Sequence, residues 1–320
     1  MKDRRIYLNQ ETVDLMKFPY KFLTRNSGFV YFFCVVIGLP IMVLLQAFMK
    51  MNLLDFPGYF KASMGIPYLF MYIVILCFDF GYRRAWLLGY NKFKPWNLLL
   101  CPALVVVAYP GLMLISEISR LIFPMSALTI SSDTELLLKA IGPVWGFLLL
   151  ALAPAITEEA LCRGLIYGVF RQRGFWPAFI MSTLSFALLH GNVEQILYTA
   201  AFGAMLCIVR EFTRSAVPCV LMHFLFNSVS TFMIYFADRL GAGSDTDLAQ
   251  EAASNTSISI ALIIAGAISL AATGALLYLS KRVNKYDPEK AAKGNDKDAP
   301  AFSAVYLGAW LVAIVLNIIF

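Results

Sequence analysis

Ala140-Ile-Gly-Pro-Val-Trp-Gly-Phe-Leu-Leu-Leu-Ala-Leu-Ala-Pro154-Ala-Ile-Thr-Glu158-Glu159-Ala-Leu-Cys-Arg163-Gly164-Leu-Ile-Tyr-Gly-Val-Phe170 is one long apolar run interrupted by three charges. At 1.5 Å per residue its 31 residues would reach about 46 Å as a helix, beyond the roughly 30 Å of a hydrocarbon core. Pro154 lies inside it, so a kink or two half-helices are expected there. Ionisable groups at such depth are costly, and each calls for an explanation.

The rest of the chain supports a membrane setting. Of 320 residues, 60% are hydrophobic and 14% charged, and the mean hydropathy is +0.71. That is more apolar material than one water-soluble core buries, so lipid must cover part of it. Further apolar runs lie near 29–49, 64–82, 96–116, 176–190, 195–209, 216–236, 258–280 and 303–320. The first begins only at Phe29 and lacks a small-x-small exit, so it reads as a retained span, not a cleaved signal. The six cysteines stand singly in these runs and read as small buried hydrophobes.

Charge orders the spans. With the N-terminus cytoplasmic, the inside segments 1–26, 82–94, 171–173, 210–214 and 281–298 hold twenty of the 26 lysines and arginines. Lys50, Lys61, Arg120, Lys139 and Arg239 fall outside, and Arg163 stays in the membrane. The expected fold is therefore an all-α, polytopic transmembrane bundle of about eight to nine spans in the cell membrane, N-terminus cytoplasmic. Its divisions are a cytoplasmic segment 1–28, a membrane domain 29–280, a charged cytoplasmic linker 281–302 and a C-terminal transmembrane helix 303–320. Residues 238–257, acidic and rich in Gly and Ser, read as an external loop.

Few polar groups lie deep. Glu159 and Arg163 are i and i+4, carboxylate on the N-terminal side, the favourable order for a pair. Glu158 points about 100° away and is left available. Both histidines of the chain are deep: His190, closing Phe186-Ala-Leu-Leu-His190, and His223, one helical turn before Asn227. Counted at 1.5 Å per residue from the basic ends, Glu158 lies roughly 20 Å deep, His190 roughly 25 Å, Asn227 roughly 20 Å and His223 roughly 14 Å. Overlapping depths favour one constellation over scattered interhelical hydrogen bonds.

Glu-Glu-x-x-x-Arg (Glu158, Glu159, Arg163), Phe-x-x-x-His (Phe186, His190) and His-x-x-x-Asn (His223, Asn227), in that order on successive runs, resemble the CPBP family. This family contains the type II CAAX prenyl endopeptidases and bacteriocin-processing, Abi-like relatives. The similarity covers a core at about 140–236; Cys162 departs from the aromatic that many members carry there. The resemblance implies an intramembrane endopeptidase. Glu158 would activate water with His190, His223 and Asn227 would stabilise the oxyanion, and Glu159 and Arg163 would give structural support. An amide and an imidazole N–H are suitable oxyanion donors. Metal-free chemistry is favoured because Asn227 is a poor zinc ligand; if zinc is used, Glu158, His190 and His223 would be its ligands with an open fourth position. The sequence has no His-Glu-x-x-His, Gly-x-Gly-Asp or intramembrane Gly-x-Ser-Gly motif.

Partners that follow are the lipid bilayer and a peptide or membrane-protein substrate, prenylated or not; nucleic acid is not among them. Two other readings stand beside the peptidase: a non-catalytic membrane scaffold or immunity factor of the same fold, and an ion-coupled transporter. Transporters usually show related halves, and no internal repeat is visible.

Overall fold

The computed structural model describes residues 28–35, 56–81, 89–123, 141–190, 193–236, 258–292 and 304–319. Every regular element among them is helical: α1 (Phe56–Gly81), α2 (Asn97–Ile122), α3 (Pro143–Phe170), α4 (Phe175–Leu188), α5 (Ile196–Thr213), α6 (Val217–Phe236), α7 (Ile260–Val283), α8 (Pro288–Ala292) and α9 (Ala304–Ile319). Residues 28–35 are helical too. By length and composition α2, α3, α5 and α7 suffice to cross a bilayer, and shorter apolar stretches lie in α1, α4, α6 and α9. The expected N-terminal segment up to residue 27, the external loop at 238–257 and the linker beyond Ala292 lie outside the described residues.

Burial separates the centre from the periphery. Half of the most apolar window of α3 and 56% of that of α5 are buried, against 17% of that of α7, so α3 and α5 are inner helices and α7 keeps most of its surface for lipid. All seven residues Ala160–Ile166 are buried. The run 143–170 is not divided into two half-helices. It stays one helix, with a regular α segment (Ala153–Glu159) between two π-helical stretches, Phe147–Leu152 and Ala160–Ile166. The physical reason lies at Pro154, which has no N–H to offer the Leu150 carbonyl four residues back. The preceding wide turn bonds in i→i−5 register instead, as Ala153 N–H to Leu148 O shows.

Short turns keep neighbours antiparallel. Gly174 (φ 138°) joins α3 to α4 and Arg214, left-handed at φ 58°, closes α5 before α6. Helix α7 lies along α2 at a contact built from small residues. There the Ser269 hydroxyl is inserted in the α2 ladder: Gly111 N–H donates to Ser269 Oγ (2.9 Å), which donates to Val107 O (2.5 Å). A Cβ on Gly266 would lie 2.5 Å from Leu114, so only glycine lets the two helices approach this closely.

The connections rich in lysine and arginine meet at one end of the bundle. Ala216 N–H donates to Gly89 O (2.7 Å), Asn91 Nδ2 to Arg214 O (3.0 Å) and Lys94 Nζ to Val283 O (2.7 Å). Buried Glu211 collects Arg171 through Nε and Nη2 (both 2.8 Å), Tyr167 and Tyr286 (2.6 Å). Arg171 Nη2 also reaches Ala291 O at 3.0 Å. The part of the charged linker that is described is therefore docked on the core, more tied down than its composition indicates.

Candidate active site

Glu158 and Glu159 sit on the last turn of the α segment of α3, where a π stretch begins. The wide turn releases carbonyls from their usual partners, and neighbouring helices take them. Ser182 of α4 donates to Cys162 O (2.8 Å) and Arg210 of α5 to Arg163 O (3.1 Å). This ties α3 to α4 and α5, two of its neighbours at the site.

Glu159 and Arg163 are fully buried. Glu159 Oε1 accepts from Arg163 Nη1 (3.0 Å) and lies 3.0 Å from His223 Nδ1 on α6. Arg163 Nη2 donates to Gly203 O on α5 (2.8 Å), and its guanidinium carbon stands 4.2 Å over the Phe186 ring of α4. The same ring meets His190 at 5.0 Å and His223 at 5.4 Å, edge to face. A Cβ on Gly203 would come within 3.0 Å of Phe186 and 3.1 Å of Arg163 Nη2, so a bare backbone is required there. One charged pair thus joins four helices.

Glu158 is placed differently. Its side chain is 12% exposed and that of His190 is 21% exposed, against 3% for His223, so these two have an outlet that the inner pair lacks. Glu158 Oε2 stands 4.0 Å from His190 Nε2 and has no hydrogen-bond partner among the described residues. His190 Nδ1 lies 2.9 Å from Phe186 O, which can only accept, and this assigns the proton to Nδ1 and the lone pair to Nε2. The same logic at His223, whose Nδ1 faces a carboxylate, leaves Nε2 as its outward nitrogen; a donor there requires the imidazolium form. Asn227 Nδ2 donates to Leu150 O at 3.2 Å. That is the carbonyl left over by Pro154, and the amide keeps its second N–H for other use.

A cavity of about 300 Å³ is lined by Glu117, Arg120, Gln195, Tyr198 and Phe226, and two of these residues connect it to the cluster. Tyr198 is within electrostatic reach of Glu158. Phe226 stacks at 4.5 Å on Phe202, which packs on His223 at 5.8 Å.

Glu158, His190, His223 and Asn227 thus come from α3, the end of α4, and α6 to one linked cluster. Residues 140–229 match the family model described as type II CAAX prenyl endopeptidase Rce1-like. This segment, 90 of the 320 residues, is similar to that family. All the motif residues of this Rce1-like segment fall inside the matched range, which ends just beyond Asn227. Neither curated proteins nor solved structures give a match.

Among the described residues no group of three or more His, Cys, Asp or Glu side chains is placed to hold a metal ion. His223 is paired with Glu159, and the Phe186 ring touches both His223 and His190. Sequence reading missed three participants: the Gly203 carbonyl, the Leu150 carbonyl and Tyr198. Two are backbone atoms, which carry no residue-type signal; Pro154, four residues after Leu150, was the one available hint.

Proposed function

We propose that this protein is an intramembrane endopeptidase that cleaves near the C-terminus of a prenylated or otherwise membrane-associated peptide or protein by glutamate-activated water. The similarity of residues 140–229 to a peptidase family supports the reaction class; the observation that carries the mechanism is the pair Glu158 Oε2 and His190 Nε2, 4.0 Å apart. Two acceptors at that spacing suit one water whose O–H bonds point at both, with bonds of roughly 2.8 Å. The water oxygen then keeps a lone pair for a carbonyl carbon.

In the proposed reaction Glu158 takes the water proton as the oxygen bonds to the scissile carbon. The carbonyl oxygen becomes an oxyanion, which the second N–H of Asn227 receives, with His223 Nε2 adding a donor in its imidazolium form. Glu158 returns the proton to the amine nitrogen as the C–N bond breaks, and the acid product gives its remaining water proton to His190 Nε2, leaving a carboxylate and an amine. Glu159 and Arg163 position His223 and hold the helices. No step uses a metal.

The setting proposed is a multi-pass cell-membrane protein of eight or nine spans, with the basic end and the N-terminus cytoplasmic. The gathering of the basic connections at one end supports this arrangement.

The test is incubation of the purified chain with prenylated and unprenylated peptides, read by mass spectrometry, with and without a strong chelator. Cleavage that survives chelation is expected. Activity lost to the chelator and restored by zinc would replace the water-only route. A non-catalytic scaffold or a transporter would cleave nothing.

A further inference from the structure

Away from the candidate active site, the N-terminal end of α2 and the C-terminal end of α7 flank a cavity of about 730 Å³. Its walls are Leu99, Leu100, Ala103, Leu276 and Leu279, and its rim is Lys94, Arg282 and Lys285. Among the described residues no carboxylate lines it. We propose that this groove binds an anionic phospholipid from the leaflet at the basic end, acyl chain between the helices and phosphate among the three cations.

The occupant follows from chemistry at two levels. Leu99 is 69% exposed and Leu279 46% exposed, and both lie on helices apolar enough to cross a bilayer, so the groove faces hydrocarbon, not water. From the start of α2 at Asn97 to Ala103 is roughly 9 Å of helix at 1.5 Å per residue, with Lys94 beyond it at the rim, a depth that takes part of one acyl chain. At the mouth, Trp96 is 67% exposed, the placement of an interfacial aromatic. The cations there are directed but not neutralised. Lys94 Nζ donates to Val283 O (2.7 Å), and Arg282 Nε donates to Tyr278 OH (2.9 Å). Each bond fixes a side chain while leaving N–H donors over, and neither partner carries negative charge. Three positive groups at the edge of a hydrocarbon-facing groove match an amphiphile with a phosphate head. A soluble anion would leave the apolar walls unfilled, and a neutral lipid would leave the cations unpaired.

Native mass spectrometry of the full chain, released from neutral detergent containing either phosphatidylglycerol or phosphatidylcholine, tests this. The wild-type chain should retain about one phosphatidylglycerol in preference to phosphatidylcholine, and excess inorganic phosphate should not displace it. The double substitution Arg282→Gln and Lys285→Gln, which spares the Lys94 bond to α7, should weaken retention by roughly thirtyfold, about fivefold for each cation. Ala103→Trp keeps every charge, fills the acyl part and should abolish retention; it reads the same groove if the double variant does not fold. Equal retention of the two lipids, unchanged retention in Ala103→Trp, displacement by phosphate, or no retained lipid because the chain itself covers the groove, would each overturn the proposal.

Discussion

Adjacent residues on a helix point about 100° apart, and at Glu158 and Glu159 that angle separates two chemistries. Glu159 is sealed between Arg163 and His223, whereas Glu158 looks towards His190 and the outlet. Glu158→Gln keeps the shape and removes the base. Cleavage is expected to fall to background with thermal stability equal to or slightly above that of the unmodified chain, because a buried amide is less costly than a buried carboxylate. Full activity in this variant would rule out glutamate-activated water. Arg163→Ala should act in the other direction, stranding Glu159 and lowering stability by roughly 3–5 kcal/mol along with activity; a chain that unfolds normally but no longer cleaves would contradict the supporting role. These residues were legible because charge is expensive in an apolar run and therefore conspicuous. The pairing of Glu159 with His223 was not, since it depends on how α6 packs on α3.

At the scale of the element, the apolar runs marked the helices well, and α1 to α7 and α9 fall on runs read from hydropathy. The π stretches of α3 were hidden, because i→i−5 bonding is imposed by what the neighbours offer to the released carbonyls. Pro154 shows the coupling. The carbonyl it leaves without an i→i−4 donor is the one that Asn227 serves. Asn227→Ala should therefore do two things: cut turnover by about 10²–10³ and cost roughly 1–3 kcal/mol through an unsatisfied carbonyl. In a Pro154→Ala background the new N–H can serve Leu150 O, so the stability loss should shrink by about 1 kcal/mol or more while the loss in turnover persists. A double-mutant cycle in thermal unfolding checks this, and additive stability effects would show that the two sites are independent.

For the whole molecule, charge bias along the sequence corresponds to a spatial end, where connections from four parts of the chain hydrogen-bond to one another. The docking of residues 284–292 through Glu211 was not visible, because the tyrosine and the glutamate are 75 residues apart and a charged, alanine-rich segment looks solvated on composition. Burial, then the bond to Glu211 and its charge, push the Tyr286 phenol above its ordinary pKa, so it stays a donor across the physiological range. Tyr286→Phe removes that donor at a cost of roughly 1.5–3 kcal/mol. Trypsin cleavage after Lys285 or Lys290 should then accelerate by about tenfold or more, 1.4 kcal/mol corresponding to a factor of ten when opening limits access. An unchanged rate would mean that Arg171 alone holds the segment.

The Asn227–Leu150 bond also fixes a frame of reference. Glu158 and Leu150 are two turns apart on one helix, so the amide is indexed against the same rigid rod that carries the base. Helices that part to admit a peptide need not be these two. In the proposed reaction, yielding by α1, α2 or α5 instead would keep the spacing between attacking oxygen and oxyanion donor calibrated while the entrance changes shape, so that substrates of different bulk would meet the same geometry.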